Sequence, residues 1–336
     1  MGQSSAGHSL ALRPFAAVTR PVRRRIAAYR RVGPRERVGE RALERLQRRE
    51  ERRLLGLARG DSEVCWPSAE REPLVTVRIA TYDRGPLIVE RALASVLRQT
   101  YERLEVLVVG DCCDEATERA IRSVRDDRLR FVNLPARGTY PTDRRLRWMV
   151  AGATPMNAGL LLARGAWIAP CDDDDEFTDD HVEVLLRAAQ ADRLELVHSR
   201  ALLETERASW RIAGGPTLAE GVSHGSILYS AGLRFMRHST TSWRRFEPSD
   251  WNLWRRMQAI GVRVGFLDRV TYVHYLGVYK NPGASERGPS VSPLQRGRVP
   301  DSIESLPSGP EVQVPVDHGS SRAPSEEVIH PPPPRG

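Results

Sequence analysis

Trp167-Ile168-Ala169-Pro170-Cys171-Asp172-Asp173-Asp174-Asp175-Glu176 is an apolar run that passes directly into four aspartates. Trp167 to Cys171 has the length and composition of a buried strand, so the acids begin where the carboxyl end of that strand would lie. Adjacent carboxylates repel one another, and a fold gathers four of them at a strand end where a cation or a set of backbone donors holds them. Hard oxygen ligands suit Mg2+ or Mn2+, which keep several waters and bind through one or two carboxylates plus substrate phosphates. The competing reading is a helix start, where Asp179, Asp180 and also Asp175 would favour the dipole of the next helix. Capping uses one or two acids rather than four, and it accounts for Asp179 and Asp180.

Outward from this stretch, strand and helix patterns alternate. Leu74 to Ala80, Leu104 to Val109, Leu129 to Asn133 and Leu194 to Ser199 read as further strands. Leu87 to Gln99, Glu115 to Val124, Met156 to Ala163 and His181 to Ala189 read as helices. Such alternation predicts an α/β fold with a doubly wound, mostly parallel, Rossmann-like sheet, helices on both faces and a ligand site at the carboxyl ends of the strands. Thr81-Tyr82-Asp83-Arg84, Gly110-Asp111 and the aspartate run each follow a strand, so the topology sends all three loops to one crevice.

The flanks differ from this core. Residues 1–72 hold 17 basic against 9 acidic residues, residues 73–280 hold 29 against 27, and residues 281–336 hold 5 against 7. The net charge of +8 therefore comes from the arm. A nucleic-acid-binding core would carry its own basic face and a reading motif, so no nucleic-acid partner is expected. Residues 22–59 form a loosely amphipathic helical pattern, with Ile26, Leu43, Leu46, Leu54 and Leu55, broken near Gly33-Pro34. Two readings remain for this arm: a solvated helix packing on the core or left mobile, and peripheral attachment to anionic lipid. Residues 281–336 are rich in Pro, Ser and Gly and are expected to be a disordered tail. No run approaches the roughly 20 apolar residues of a membrane span. The start lacks the apolar stretch of a secretory signal, and four cysteines are no disulfide framework, so a cytoplasmic location is expected, on the inner face of the membrane if the arm binds lipid.

Four blocks, taken together, identify a resemblance. Pro73 to Arg84, Ala94-Ser95-Val96-Leu97-Arg98-Gln99-Thr100-Tyr101, Leu104 to Asp111 and Trp167 to Glu176 resemble, in order and spacing, successive blocks of family 2 glycosyltransferases. The resemblance covers about residues 73–280. It implies a GT-A type fold, with residues 73–200 as the nucleotide-sugar-binding half and 201–280 as the acceptor half. It also implies inverting, metal-dependent transfer from a nucleotide-diphosphate sugar to a saccharide, lipid-linked or small-molecule acceptor. Carried over by position, Thr81, Tyr82 and Asp83 hold the nucleotide base and Asp111 hydrogen-bonds it. Asp172 and Asp173 face the ribose, and Asp174 ligates the Mg2+ or Mn2+. Asn157 and Gly159 fall in a block that resembles the family's Arg-Asn-X-Gly element with Met156 in place of the arginine, a phosphate contact that Arg137 or Arg164 would then supply. Cys112-Cys113 lacks the paired spacing of a zinc site and is assigned no role.

Inverting transfer needs a base for the acceptor hydroxyl. Glu247-Pro248-Ser249-Asp250-Trp251 opens an amphipathic helix that runs to Ile260, and it resembles the family's acid at a helix start. Asp250 is the expected base, with N-capping as its bland alternative and Glu247 as the rival acid. His224, His238 and His274 are candidates for acceptor or phosphate contact, His274 first, with a structural role the commoner fate of each. Trp243, Trp251 and Trp254 are candidates for a sugar-stacking platform or for the core. A sugar-phosphate nucleotidyltransferase would show a Gly-rich phosphate loop with Arg and Lys where this chain has Thr81-Tyr82-Asp83. A non-catalytic binding domain would not need the acids at 111, 172, 174 and 250.

Overall fold

Val75, Val77 and Ile79 point to one face of strand β1 (Val75–Thr81) and Thr76 and Arg78 to the other, all five of them buried. The computed structural model that shows this describes residues 34–66, 70–204, 210–218 and 222–275. Burial on both faces marks a central strand. β1 pairs in parallel with β2 (Leu104–Gly110) on one side and β4 (Trp167–Asp172) on the other, and β3 (Leu129–Asn133) adds to β2. Helices make the crossovers. α2 (Gly85–Ile88) continues through a π turn (Val89–Leu93) into α3 (Ala94–Leu97). α4 (Glu115–Ser123), α5 (Arg144–Trp148), α6 (Ala153–Leu162) and α7 (His181–Ala191) follow.

The second half adds β5 (Glu176–Phe177), β6 (Leu196–Glu204), β7 (Trp210–Ala213), β8 (Ile227–Ser230), α8 (Ser249–Ile260) and β9 (Val264–His274). The sheet runs β3-β2-β1-β4-β8-β6-β9-β5, with β7 on β6. Beyond β4 it becomes mixed: β8 is antiparallel to β4 and β6, whereas β6 and β9 are parallel. Two apolar layers cover the faces. Val75, Val77 and Ile79 pack with Ile88, Leu93, Val96 and Leu185 in one. Leu107, Val109 and Ile168 pack with Leu160, Leu253, Trp254 and Met257 in the other. The expected α/β, mostly parallel sheet with helices on both faces is the fold that forms.

The arm is joined to this core where it is described. α1 (Pro34–Arg59) starts at the proline after Gly33, a residue that suits a first helical turn. Leu55 and Glu51 are buried against α8, and Glu51 pairs with Arg256. At the helix end Arg59 meets the fully buried Glu195 at 2.8 and 2.6 Å, and Glu195 also accepts from the backbone N–H of Cys65 and Arg263. A buried carboxylate needs that many donors, so the helix end and β6 are tied together. Ile26 and the tail expected over 281–336 lie outside the described residues.

Candidate functional site

Register places the site. Thr81 is opposite Gly110 and Ala80 is opposite Asp172, so the loops leaving β1, β2 and β4 emerge at one edge of the sheet. They line a cleft of about 1010 Å³, closed on another side by Pro248-Ser249-Asp250-Trp251 at the start of α8. Thr81, Tyr82, Asp111, Asp172, Asp173, Asp174 and Asp250 all face it, whereas Asp83 and Asn157 do not. Asp83 is exposed, at φ 49°, and its Oδ1 accepts from the backbone N–H of Asp114 (2.8 Å), which fastens the turn ahead of α4. Asn157 is turned to the backbone of His238, donating to its carbonyl (3.0 Å) and accepting from its N–H (2.8 Å).

Each aspartate of the run has a different setting. Asp172 Oδ1 lies 2.8 Å from His224 Nδ1, and its Oδ2 lies 3.3 Å from the Tyr272 hydroxyl. Asp173 accepts from the Thr81 hydroxyl (2.7 Å) and from Arg84 (2.8 Å), and the same Arg84 nitrogen donates to Asp174 (2.7 Å). Burial pushes Asp173 up to about 7, with Arg84 and Thr81 opposing and Asp174 and Asp172 adding to the rise. Asp174 is raised too, first by burial and then by Asp175. Asp175 does not start a helix as its bland reading had it. It is fully buried, and it accepts from the Tyr272 hydroxyl (2.5 Å), lies 2.7 Å from His274 Nδ1 and accepts from the Tyr275 N–H (2.8 Å).

This donor set fits a hard divalent cation. Asp172, Asp174 and His274 all reach the cleft, and one ligand atom from each of Asp172, Asp175 and His274 lies within 4.8 Å of the others. Two carboxyls raised by burial and mutual repulsion signal negative charge that Arg84 alone does not balance. A cation here would be held by carboxylate oxygen and imidazole nitrogen, a set that Mg2+ or Mn2+ accepts.

Asp111 is almost fully buried and accepts from the Gly138 N–H (2.9 Å) and the Tyr140 hydroxyl (2.6 Å), which draws the loop after β3 over the cleft. From that loop Arg137 stacks on Tyr82, its guanidinium 3.5 Å from the ring centroid, and lies 3.9 Å from Asp111. Of the two arginines considered as replacements for the one missing at 156, Arg137 lines the cleft, whereas Arg164 lies by Glu105 away from it. Gly110 makes the sharp exit possible. A Cβ there would sit 2.6 Å from Asn133 Oδ1, the atom that accepts from the Cys113 N–H.

On the far wall, Asp250 sits in the first turn of α8, where Pro248 holds the cap position, and its Oδ1 accepts from the N–H of Trp251 (2.9 Å). Burial raises its carboxyl, with His224 opposing and Asp172 adding. Glu247, the rival base, is spent on Arg255 (2.7 Å) and Asn252 (2.7 Å) and faces away from the cleft. Trp251 lines the cleft and Trp254 is core. Three contributors escaped the sequence reading. Arg84 sits inside a quoted loop, and its charge is what holds Asp173 and Asp174 together. Tyr272 is one hydroxyl within an apolar strand. Arg78 carried the clearest signal, a charged residue in the middle of a strand that alternation marks as central. It is 1% exposed.

Residues 76–206 match the model of glycosyl transferase family 2. Among characterised sequences the chain is 34% identical over 125 residues to the succinoglycan biosynthesis protein ExoO of Rhizobium meliloti, covering 37% of this chain and 32% of that one. It is 29% identical over 124 residues to the putative colanic acid biosynthesis glycosyl transferase WcaA of Escherichia coli, covering 36% and 39%. The chain thus spans about a third of the length of these relatives. Among solved structures it is similar to the mannosyltransferase PcManGT of Pyrobaculum calidifontis in complex with GDP-Man and Mn2+ (18% identity, TM-score 0.47, 80% and 78% of the two chains). It is also similar to TarS of S. aureus in complex with UDP-GlcNAc (17%, 0.48, 60% and 58%). The strand-end loops that carry Thr81, Asp111 and the acid run all fall inside the residues that match the model of glycosyl transferase family 2.

Proposed function

We propose that the chain transfers a sugar, with inversion and with Mg2+ or Mn2+, from a nucleotide-diphosphate sugar to an acceptor hydroxyl, in the synthesis of a cell-surface polysaccharide, glycolipid or glycosylated metabolite. The observation that carries this reading is the meeting of Asp111, the acid run and Asp250 in one cleft from three separate parts of the chain. Tyr82 and Asp111 would hold the base beside Arg137, with Thr81 fixing Asp173. Asp172 and Asp173 would face the ribose. Asp174, with Asp172 and His274 at the same edge, would hold the metal, whose charge when bound offsets that of the leaving diphosphate. Asp250, across the cleft, would take the proton of the acceptor hydroxyl. Burial raises its carboxyl above the ordinary aspartate value, which makes it the stronger base. Asp83 and Asn157 support the loops instead of touching the nucleotide.

α1 adds a reading for the membrane. Leu43, Leu46 and Leu57 are 66%, 63% and 65% exposed, with Arg45, Arg49 and Arg53 exposed beside them. Exposed leucines rimmed by arginines support peripheral attachment to an anionic lipid surface. Co-sedimentation with vesicles containing anionic lipid should drop when all three leucines become serine, and unchanged binding refutes it.

The donor reading is tested by heating the protein with UDP-, GDP- and dTDP-sugars, each with and without Mn2+. One donor is expected to raise Tm only when Mn2+ is present, because a ligand of the folded state stabilises it by mass action. No metal-dependent shift with any of them defeats the proposal.

A further inference from the structure

Arg78 is a buried guanidinium that no cleft contact explains. Its NH1 donates to the carbonyl of Met156 (2.7 Å), and its NH2 lies 3.3 Å from Nε2 of both His224 and His238. Among the described residues no carboxylate touches it directly. A buried charge destabilises the fold unless it is compensated, and a leucine or methionine would fill the same space without that cost. Its retention in the centre of β1 calls for a compensating partner, and the nearest route to one runs through an imidazole.

We propose that Arg78 is a positioning residue of the cleft, fixing His224 in the tautomer that carries its proton on Nδ1 and so fixing the direction in which Asp172 presents its carboxylate. Arginine has five N–H donors and no acceptor, so each histidine nitrogen facing it must be an acceptor. His224 then bears its proton on Nδ1, 2.8 Å from Asp172 Oδ1, and donates to it. Tyr272 stands at the other carboxylate oxygen. Asp172 is thereby held from behind on both oxygens, and its remaining lone pairs face the cleft in a set direction. Preorganised acceptors of this kind bind a ligand hydroxyl or a cation without a reorganisation cost.

The surroundings are built for this chain of contacts. A Cβ at Gly159 would lie 2.8 Å from Arg78 Cδ and 2.9 Å from its Cγ, so only glycine leaves room for the arginine stem. Asn157 clamps the backbone of His238, the second acceptor, in both directions. Met156 supplies the carbonyl. The block that the sequence suggested as a phosphate contact thus serves Arg78, and the positive charge absent at position 156 reappears one layer beneath the acids.

The inference rests on reading the cleft as a nucleotide-sugar site, and its test separates the two. In the 15N-histidine-labelled wild-type protein, NMR should find the His224 proton on Nδ1 and a bare Nε2; a proton on Nε2 overturns the inference whatever the variants do. UDP and GDP affinities in the presence of Mn2+ should fall roughly tenfold in Arg78→Met and in His224→Leu, and the double variant should lose no more than the larger single loss. His224→Asn, which keeps a donor where Nδ1 stood, should recover most of the affinity. Gly159→Ala, which displaces the arginine stem without removing a charge, should reproduce the loss. Additive losses, or an Arg78→Met protein within twofold of wild type, overturn the inference. If neither nucleotide binds the wild type, the donor reading falls, while the position of the His224 proton still decides the link from Arg78 to Asp172.

Discussion

The two halves of the sheet build the cleft by different means. From β3 to β4 the functional groups arrive at strand ends, where backbone register alone brings Thr81, Asp111 and Asp172 to one edge. From β8 to β5 they arrive as side chains, either within a strand or from connecting segments, and stand behind the acids: Tyr272 and His274 from β9, His224 from the segment before β8. The first half decides where ligand atoms lie, and the second decides how the carboxylates are held. Substitutions in the second half that leave Asp250 and His274 alone should then act through stability and binding, whereas Asp250 should act on turnover.

Asp250→Asn gives the largest effect by that division. Loss of a general base slows the chemical step by about 10²–10⁴-fold. The asparagine keeps the contact to the Trp251 N–H, so metal-dependent nucleotide binding should stay within twofold of wild type. Turnover above a tenth of wild type would remove Asp250 from the chemistry and leave the far wall a binding surface only.

Asp175→Ala tests the supporting role. It removes the buried acceptor shared by the Tyr272 hydroxyl, His274 Nδ1 and the Tyr275 N–H, and losing the acceptor of such a set costs about 3 kcal/mol. Urea unfolding should register that loss. A variant as stable as wild type would mean that the second half does not hold the acids as described.

The acids also divide the two halves by pH. Between its ordinary value of 3.8 and about 7, Asp173 stays protonated in the folded chain and is ionised in the unfolded one, so its contribution to stability is complete below 3.8 and is lost as pH rises through 7. His181 and His198 behave oppositely. Burial lowers them to about 3 and about 4, so their contribution is present above 6.5 and is lost as pH falls through those values. Asp173→Asn should therefore raise Tm relative to wild type by an amount that grows from pH 5 to pH 7.5, and saturating Mn2+ should shrink the gap by stabilising the ionised carboxylates. A gap that does not change with pH would show that Asp173 carries no extra proton.

The same division explains what could be read from sequence. Strand ends followed by Asp or Thr are visible because apolar runs are contiguous and their exits are marked by a change in composition. Hence β1 to β4 and the residues at their carboxyl ends were legible, with boundaries shifted by one or two residues, as for Val75–Thr81 against the expected Leu74 to Ala80. Which face of β9 carries Tyr272, and that Asp175 turns inward to meet it, depends on a pairing of β9 with β5 that joins residues about 100 positions apart. No local pattern encodes that contact. Arg78 is the intermediate case. Alternation sets it on the face opposite Val75, Val77 and Ile79, and that this face too is covered follows only from the packing of the folded chain.

Arg137 offers the smallest effect and the sharpest view of the nucleotide end. It stacks on Tyr82 at 3.5 Å, and a stacked guanidinium of this partly exposed kind is worth about 1 kcal/mol. Arg137→Ala should weaken nucleotide affinity about fivefold and leave turnover at saturation unchanged, since the residue stands beside Tyr82 and Asp111 and not on the wall that carries Asp250. Arg137→Lys should recover little, because an ammonium has no flat face to lay on the tyrosine. Full recovery by lysine would show that charge near Asp111, and not stacking on Tyr82, is what the first half of the sheet contributes through this loop.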